Sequence, residues 1–184
     1  MAELLDELLE WLRIPSISVG ARDEAGLRAG AEWAVARVRA ARGAIDARAP
    51  DIVLVGRAEC FLVGRTDLDE TIARLKAYAA AGADCLYAPG IRTREPIARI
   101  VAAVAPKPVN VLIGGPLGLT VKDLAELGVR RISVGGALAR AAWGGFMRAA
   151  RAIAEGGTFD ALSDAVSFAE LDGFFRQDLE RRRR

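Results

Sequence analysis

Histidine is absent from all 184 residues. That gap removes Ser-His-Asp and Cys-His catalysis, His-ligated zinc, and imidazole as a general base. Chemistry here falls to carboxylates, Arg, Lys, Tyr, Cys, backbone amides or a borrowed metal. Cysteine is nearly absent too: Cys60 and Cys85 are the only two, and they form no ligand-spaced cluster. They read as reduced thiols of a cytoplasmic protein, not as a disulfide or zinc framework. No stretch approaches the ~18 consecutive apolar residues of a membrane span. Acidic Glu3, Asp6 and Glu7 stand where a signal peptide is basic, so secretion is not expected. Neither charge sign dominates: 26 Lys and Arg against 24 Asp and Glu leave a net +2. Nucleic acid and anionic membrane are therefore not expected partners. The basic run Arg181 to Arg184 reads as a solvated tail.

What is present suits one soluble domain with a sizeable core, since 52% of residues are apolar and 27% charged. Residues 3–13, ELLDELLEWLR, put Leu4, Leu8 and Leu12 on one helical face. Pro15 stops that helix, Ser16 to Gly20 links, and a second helix is predicted from about Asp23 to Arg42. No strand separates these two helices, so the opening is a helical hairpin.

From Pro50 the pattern becomes strand, loop, helix, four times over. The predicted strands are Ile52–Val55, Cys85–Tyr87, Val109–Ile113 and Ile132–Val134, short and apolar as parallel strands covered on both faces are. Helices are expected over about 67–81, 94–104 and 120–127, with Asp67 and Thr120 as N-caps and ends at Gly82 and Gly128. A longer helix, about Ala137 to Glu155, stops at Gly156-Gly157. Two more follow, over 158–164 and 167–180, the last striped by Phe168, Leu171, Phe175 and Leu179. The spacing suits right-handed βα units, eight of which close a barrel. The fold class is α/β: half of a (β/α)8 barrel, four parallel βα units between a helical hairpin and C-terminal helices. An open sheet has edges to cover and an inner face, expected to hold Val53, Val55 and Val111. A homo-oligomer, most simply a two-fold dimer, is the expected solution.

Two passages carry a family likeness. The stretch DIVLVGRAECFLVG, followed by LDETIARLKAYAAAGADCLYAPG, resembles the fifth and sixth units of the isocitrate lyase / phosphoenolpyruvate mutase family. The stretch PVNVLIGGPLGLTVKDLAELGVRRISVGGALARAAWGG resembles its seventh and eighth units, and GTFDALSDAVSFAELDGFF its terminal helices. The resemblance runs from about Arg39 to Phe175 and implies Mg2+-dependent cleavage or rearrangement of C–C or C–P bonds in small oxo, hydroxy or phosphono acids. It also implies substrate contacts for Arg57, the family arginine that grips a carboxylate or phosphonate, and for Asn110. The family's metal carboxylates, lid and Ser-Gly motif belong to its first four units, which have no counterpart here. No cofactor is therefore expected, with Mg2+ the candidate if the parent activity survives. The family's Thr-Asp after the arginine is Ala58-Glu59 here, and a frequent Glu position is Gly90. Residues 1–42, through ELLDELLEWLRIPSIS and AGAEWAVARVRAA, are instead similar to the opening helices of M20-family metallopeptidases. The two likenesses meet near Arg39-Ala40-Ala41, which suggests a chimera of residues 1–42 and 43–184, natural or engineered.

Each candidate has a plainer reading beside it. Arg57, two residues past Val55, is placed to hold a carboxylate or phosphate, or else to pair with Glu59. Gly114-Gly115 and Gly135-Gly136 follow the third and fourth strands. They suit an anion cradle at the start of the Ala137 helix, or simply tight turns. Glu59, Asp84 and Glu95 have no metal-like spacing, and Asp84 is expected to hydrogen-bond near its strand entry. Cys60 has no activating neighbour, and Trp143, Phe146, Phe168, Phe174 and Phe175 suit helix packing or a subunit interface. The expected function is that of a folded, chimeric half-barrel without the family's catalysis, stabilised by self-association, with a small carboxylate or phosphate bound weakly at the rim. A surviving Mg2+-dependent lyase or mutase is the alternative.

Overall fold

The computed structural model describes Asp6, Leu9 and residues 24–183. Asp6 and Leu9 are helical, and the rest of the helix expected over 3–13 lies outside the described residues, with the linker after it. The chain forms two compact units, Met1–Gly135 and Gly136–Arg184.

The first unit contains α1 (Glu24–Arg48), β1 (Val55–Arg57), α2 (Leu68–Ala80), β2 (Cys85–Tyr87), α3 (Arg94–Val104), β3 (Val109–Leu112), α4 (Val121–Glu126) and β4 (Arg131–Ser133). The four strands are parallel and lie in chain order, as successive βα units of a barrel do. Helices α2 and α4 start at the anticipated caps. Asp67 accepts from the Glu70 amide, and Thr120 exchanges bonds with Asp123 in a full capping box. Both helices stop just before Gly82 and Gly128.

One sheet face is packed under helices. Leu86, Val109 and Val111 meet Leu75 and Tyr78 of α2, Ile97 and Ile100 of α3, and Leu124 of α4. Leu75, Leu86 and Leu124 are at most 1% exposed, so each contributes about 1.5–3 kcal/mol of burial. Ala34, Val35 and Val38 of α1 pack on the same cluster. Gly56 explains how closely α2 lies on β1: a Cβ there would stand 2.8 Å from Tyr78 Cβ and 3.1 Å from Ala83 Cβ. Any side chain at 56 forces α2 off the sheet.

Several expectations change. Strand β1 begins at Val55, not Ile52, because Ile52 N–H turns back to Ala49 O and Leu54 N–H goes to the Asp84 carboxylate. Arg57 is therefore the last residue of the strand. Helix α1 continues to Arg48, past the expected end at Arg42 and through Arg39–Ala41 without a break. Val111 does not line the inner face; strand alternation turns it into the helix-covered core, while Val53 is 62% exposed before β1 begins.

The second unit holds α5 (Ala137–Gly156), a 3-10 turn at Asp160–Leu162 and α6 (Phe168–Arg182). The helix expected over 158–164 is only that turn. Gly157 ends α5 in the left-handed conformation, and the Ser167 side chain caps α6 by accepting from Glu170 N–H. None of the three elements has a buried residue. Among the described residues no helix is long and apolar enough to cross a membrane.

Candidate functional site

Parallel register aligns Arg57 with Tyr87, Tyr87 with Asn110, and Asn110 with Arg131. Paired residues of neighbouring strands point to the same side of a sheet. The alternate positions Leu86, Val109 and Val111 enter the helical core, so this row lies on the opposite, inner face. One rung thus carries a guanidinium, a phenol, an amide and a second guanidinium across all four strands.

Arg57 ends β1 and is 48% exposed at its side chain. Its guanidinium lies 4.9 Å from the Tyr87 ring centroid, a cation–π contact worth about 0.5–1 kcal/mol at an exposed site. Its Nε donates to Glu59 Oε1 in a close ion pair. Both roles weighed for Arg57 therefore concern one group, because Glu59 already supplies the carboxylate that a ligand would supply. The backbone holds this arrangement: Ala58 N–H donates to Tyr87 O, and Glu59 O accepts from Leu62 N–H.

Asn110 is 1% exposed. Its Nδ2 donates to Ser133 Oγ at 3.0 Å, while its Oδ1 is buried with no partner. A buried acceptor left open costs about 1–3 kcal/mol. Arg131 lies near enough to draw the Cys85 thiol downward in pKa, but burial is the larger influence and pushes it up on balance. Cys85 is thus a protonated, packed thiol, and Cys60 is also buried and free.

The loop glycines divide. Gly114 and Gly115 face open space and keep negative φ, so turn geometry does not demand glycine at either position. Gly135 sits at φ 53° with the Leu112 side chain beside it, and Gly136 precedes α5 with no side-chain cap. Gly90, where the family often has Glu, has φ 93°, and a Cβ there would come within 3.0 Å of Phe61 Cβ. A glutamate does not fit that turn.

The carboxylates do not converge. Glu59 pairs with Arg57, Asp84 with Arg42 at 2.6 Å, and Glu95 with Arg99 at 3.6 Å. Asp84 also accepts from Leu54 N–H at 2.8 Å, the strand-entry role anticipated for it. Among the described residues no group of three or more His, Cys, Asp and Glu side chains is gathered to hold a metal ion. Glu70 sits between Arg65 and Arg74; burial opposes its charge, but the two arginines prevail and lower its pKa. In α5, Trp143 and Phe146 pack edge to face at 5.3 Å and both remain 62% exposed.

Sequence reasoning singled out Arg57 and Asn110, which the register places on one rung, and did not single out Tyr87, Ser133 or Arg131. The available signal was the shared strand-end position of Arg57 and Tyr87, which becomes informative only with the register.

The family model for phosphoenolpyruvate phosphomutase matches residues 18–154. A solved lyase/mutase-type protein of Burkholderia cenocepacia J2315 is 48% identical, with a TM-score of 0.74 over 79% of this chain and 52% of that one. The oxaloacetate decarboxylase of Rhodopseudomonas palustris (strain ATCC BAA-98 / CGA009) is 32% identical over 142 residues, 75% of this chain and 47% of the relative. A structure of oxaloacetate acetylhydrolase with its product oxalate is 25% identical, with a TM-score of 0.66 over 78% of this chain and 50% of that one. The chain spans about half the length of the relatives it matches.

Proposed function

Because the chain belongs to the phosphoenolpyruvate phosphomutase family, we propose that its inner-face rung is the carboxylate-gripping part of a lyase/mutase-type site for small oxo, hydroxy or phosphono acids. The observation that carries this reading is the placement of Arg57 and Asn110 on one rung, with Tyr87 between them. Two strand spacings put their backbones about 10 Å apart, a span that two side chains close onto a small diacid. Arg57 grips the carboxylate or phosphonate bidentately, held flat by Tyr87. Gly114, Gly115 and Gly135, all of the first unit, are the candidate backbone donors for a phosphate group.

With solvent access and Glu59 competing, affinity falls in the millimolar range, about 4 kcal/mol. Chemical-shift titration with succinate and inorganic phosphate tests this. Saturable shifts in the wild type and none in Arg57→Ala are expected; identical responses refute the reading.

The chain itself performs no family catalysis. An enolate-like oxyanion needs a positioned cation, and the described residues offer no carboxylate set to hold one. Oxaloacetate and phosphonopyruvate, each with Mg2+, should stay unconverted. Turnover that disappears in Arg57→Ala would establish the alternative, a Mg2+-dependent lyase or mutase.

Self-association completes the proposal, a two-fold dimer being simplest. Its support is the second unit, where Leu138, Trp143, Phe146, Phe168, Phe174 and Phe175 are each more than 60% exposed. Such apolar surface loses about 25 cal/mol per Å2 in water. For residues 1–42 we favour the family's own descent over an M20-like graft. The support is that the family match starts at residue 18, upstream of Arg39–Ala41.

A further inference from the structure

We infer that two copies of this chain close one eight-stranded barrel, β4 of each lying parallel beside β1 of the other. This rests on the self-association proposed above and names its interface. It also completes the site, because Arg57 stands on a sheet edge.

The argument starts from the backbone at the two edges. Leu54 O and Ala58 N–H bond towards β2, so Val55 and Arg57, of opposite phase, turn their N–H and C=O groups to the other side. At the far edge Ser133 O accepts from Ile113 N–H, which sends the groups of Ile132 outward. Among the described residues the sheet has four strands, and none lies beyond β1 or β4. Such open rows pair readily with another strand. Exposed apolar side chains accompany them: Ile52 and Val53 at 55% and 62% before β1, Ile132 and Val134 at 36% and 37% at β4. Direction and curvature name the occupant. The strands are parallel and in chain order, so β4 of a second copy continues the same sheet beside β1. The chain overlays 52% of a solved relative with a TM-score of 0.74. A barrel of this class has eight strands and a shear of 8, so each copy of a two-fold pair supplies half the circle and about four residues of shear. The observed register descends in that sense. The aligned row closes β1 at Arg57 and β2 at Tyr87, is second in β3 at Asn110 and opens β4 at Arg131. Carried one strand further, Arg131 aligns with the partner's Val53 and Ser133 with the partner's Val55. The free groups match in this register: the partner's Val55 N–H donates to Ile132 O. A slip of one residue sets them against groups already bonded inside the sheet. Gly135 then stands beside the partner's Arg57, so each anion site has one strand from either copy.

Disulfide trapping in the whole chain tests this, with Val53→Cys and Arg131→Cys combined. Within one chain three strand spacings separate these positions, more than about 12 Å with the rise along the strands. A disulfide needs Cα atoms within about 7 Å, which only strands paired between copies provide. Oxidised glutathione should convert most of the double variant to a covalent dimer on a non-reducing gel. Each single variant should stay at chain mass, because a two-fold pair puts like positions on opposite sides of the barrel and the native Cys60 and Cys85 are buried. Adding Val55→Pro should suppress the trapping, since proline removes an edge N–H that pairing with β2 does not use. Should that variant not fold, the double variant against its singles decides the matter alone. A dimer that traps nothing in the double variant, traps equally in a single variant, or traps unchanged in folded Val55→Pro overturns this interface. If Phe175→Asp splits that dimer, self-association stands through the second unit. A wild type that is monomeric at micromolar concentration removes the self-association and this inference together.

Discussion

Asp84→Ala should loosen the first unit at one identifiable joint. The Asp84 Oδ2 oxygen accepts both from Arg42 of α1, at 2.6 Å, and from Leu54 N–H just before β1, at 2.8 Å. One carboxylate therefore ties a helix, a strand entry and the turn before β2. A hydrogen bond to a charged acceptor contributes about 1.5–3 kcal/mol. Leu54 is only partly buried, which places its share at the low end. The ion pair adds little, about 0.2–1 kcal/mol, because Asp84 is 38% exposed and Arg42 keeps Asp46 at 2.7 Å. The sum is a loss of about 2 kcal/mol. For a chain of this size that lowers Tm by about 4–8 °C and moves the urea midpoint by about 1 M at unchanged slope. Circular dichroism at fixed protein concentration reads both, the fixed concentration keeping self-association constant. Arg42→Met combined with Asp84→Ala should show a coupling of about 0.5–1 kcal/mol. A loss below about 0.5 kcal/mol in Asp84→Ala would mean that water replaces both bonds, and the joint would have no energetic content.

Glu59→Gln should tighten succinate binding about threefold, since an exposed pair worth under 1 kcal/mol no longer competes for Arg57; unchanged or weaker binding would show that Glu59 positions the arginine instead. Phe175→Asp should halve the molar mass measured by light scattering or unfold the assembly, and a wild type that is monomeric at micromolar concentration refutes the self-association. Asp123 should titrate at about 2 in a carbon-detected NMR experiment, because the Thr120 hydroxyl, the Thr120 amide and then Arg94 stabilise its charged form. Its folded-state pKa is depressed, so its contribution to stability is present above about 3.9 and is lost as pH falls towards about 2. Thr120→Val should raise that midpoint, and a wild-type value near 4 would contradict the capping box.

The repeating βα pattern was legible because burial on both faces leaves strands such as Cys85–Tyr87 wholly apolar in character, with capping residues marking the helices between them. The run IVLV misled at β1, since apolar composition does not say which backbone amides find a neighbouring strand and which find Asp84. Register was the larger obstacle. Nothing in the spacing from Arg57 to Asn110 says that Tyr87 falls between them or that Val111 turns the other way. Arg57 and Asn110 were recognised through family likeness, whereas Ser133 is defined only by a contact across two strands.

The order of the strands has a consequence for how the chain acquires its structure. Each strand pairs with the next one in sequence, and aligned residues such as Leu86 and Val109 are separated by only about two to three dozen positions. Closing such short loops costs little entropy, and each added residue costs less than the one before. Assembly can therefore proceed outward from the ribosome, β1 serving as the template on which β2 docks before β3 has been synthesised. Gly56 matters first in that sequence, because the bare backbone it leaves is what lets α2 settle on β1 while the later units are still unmade.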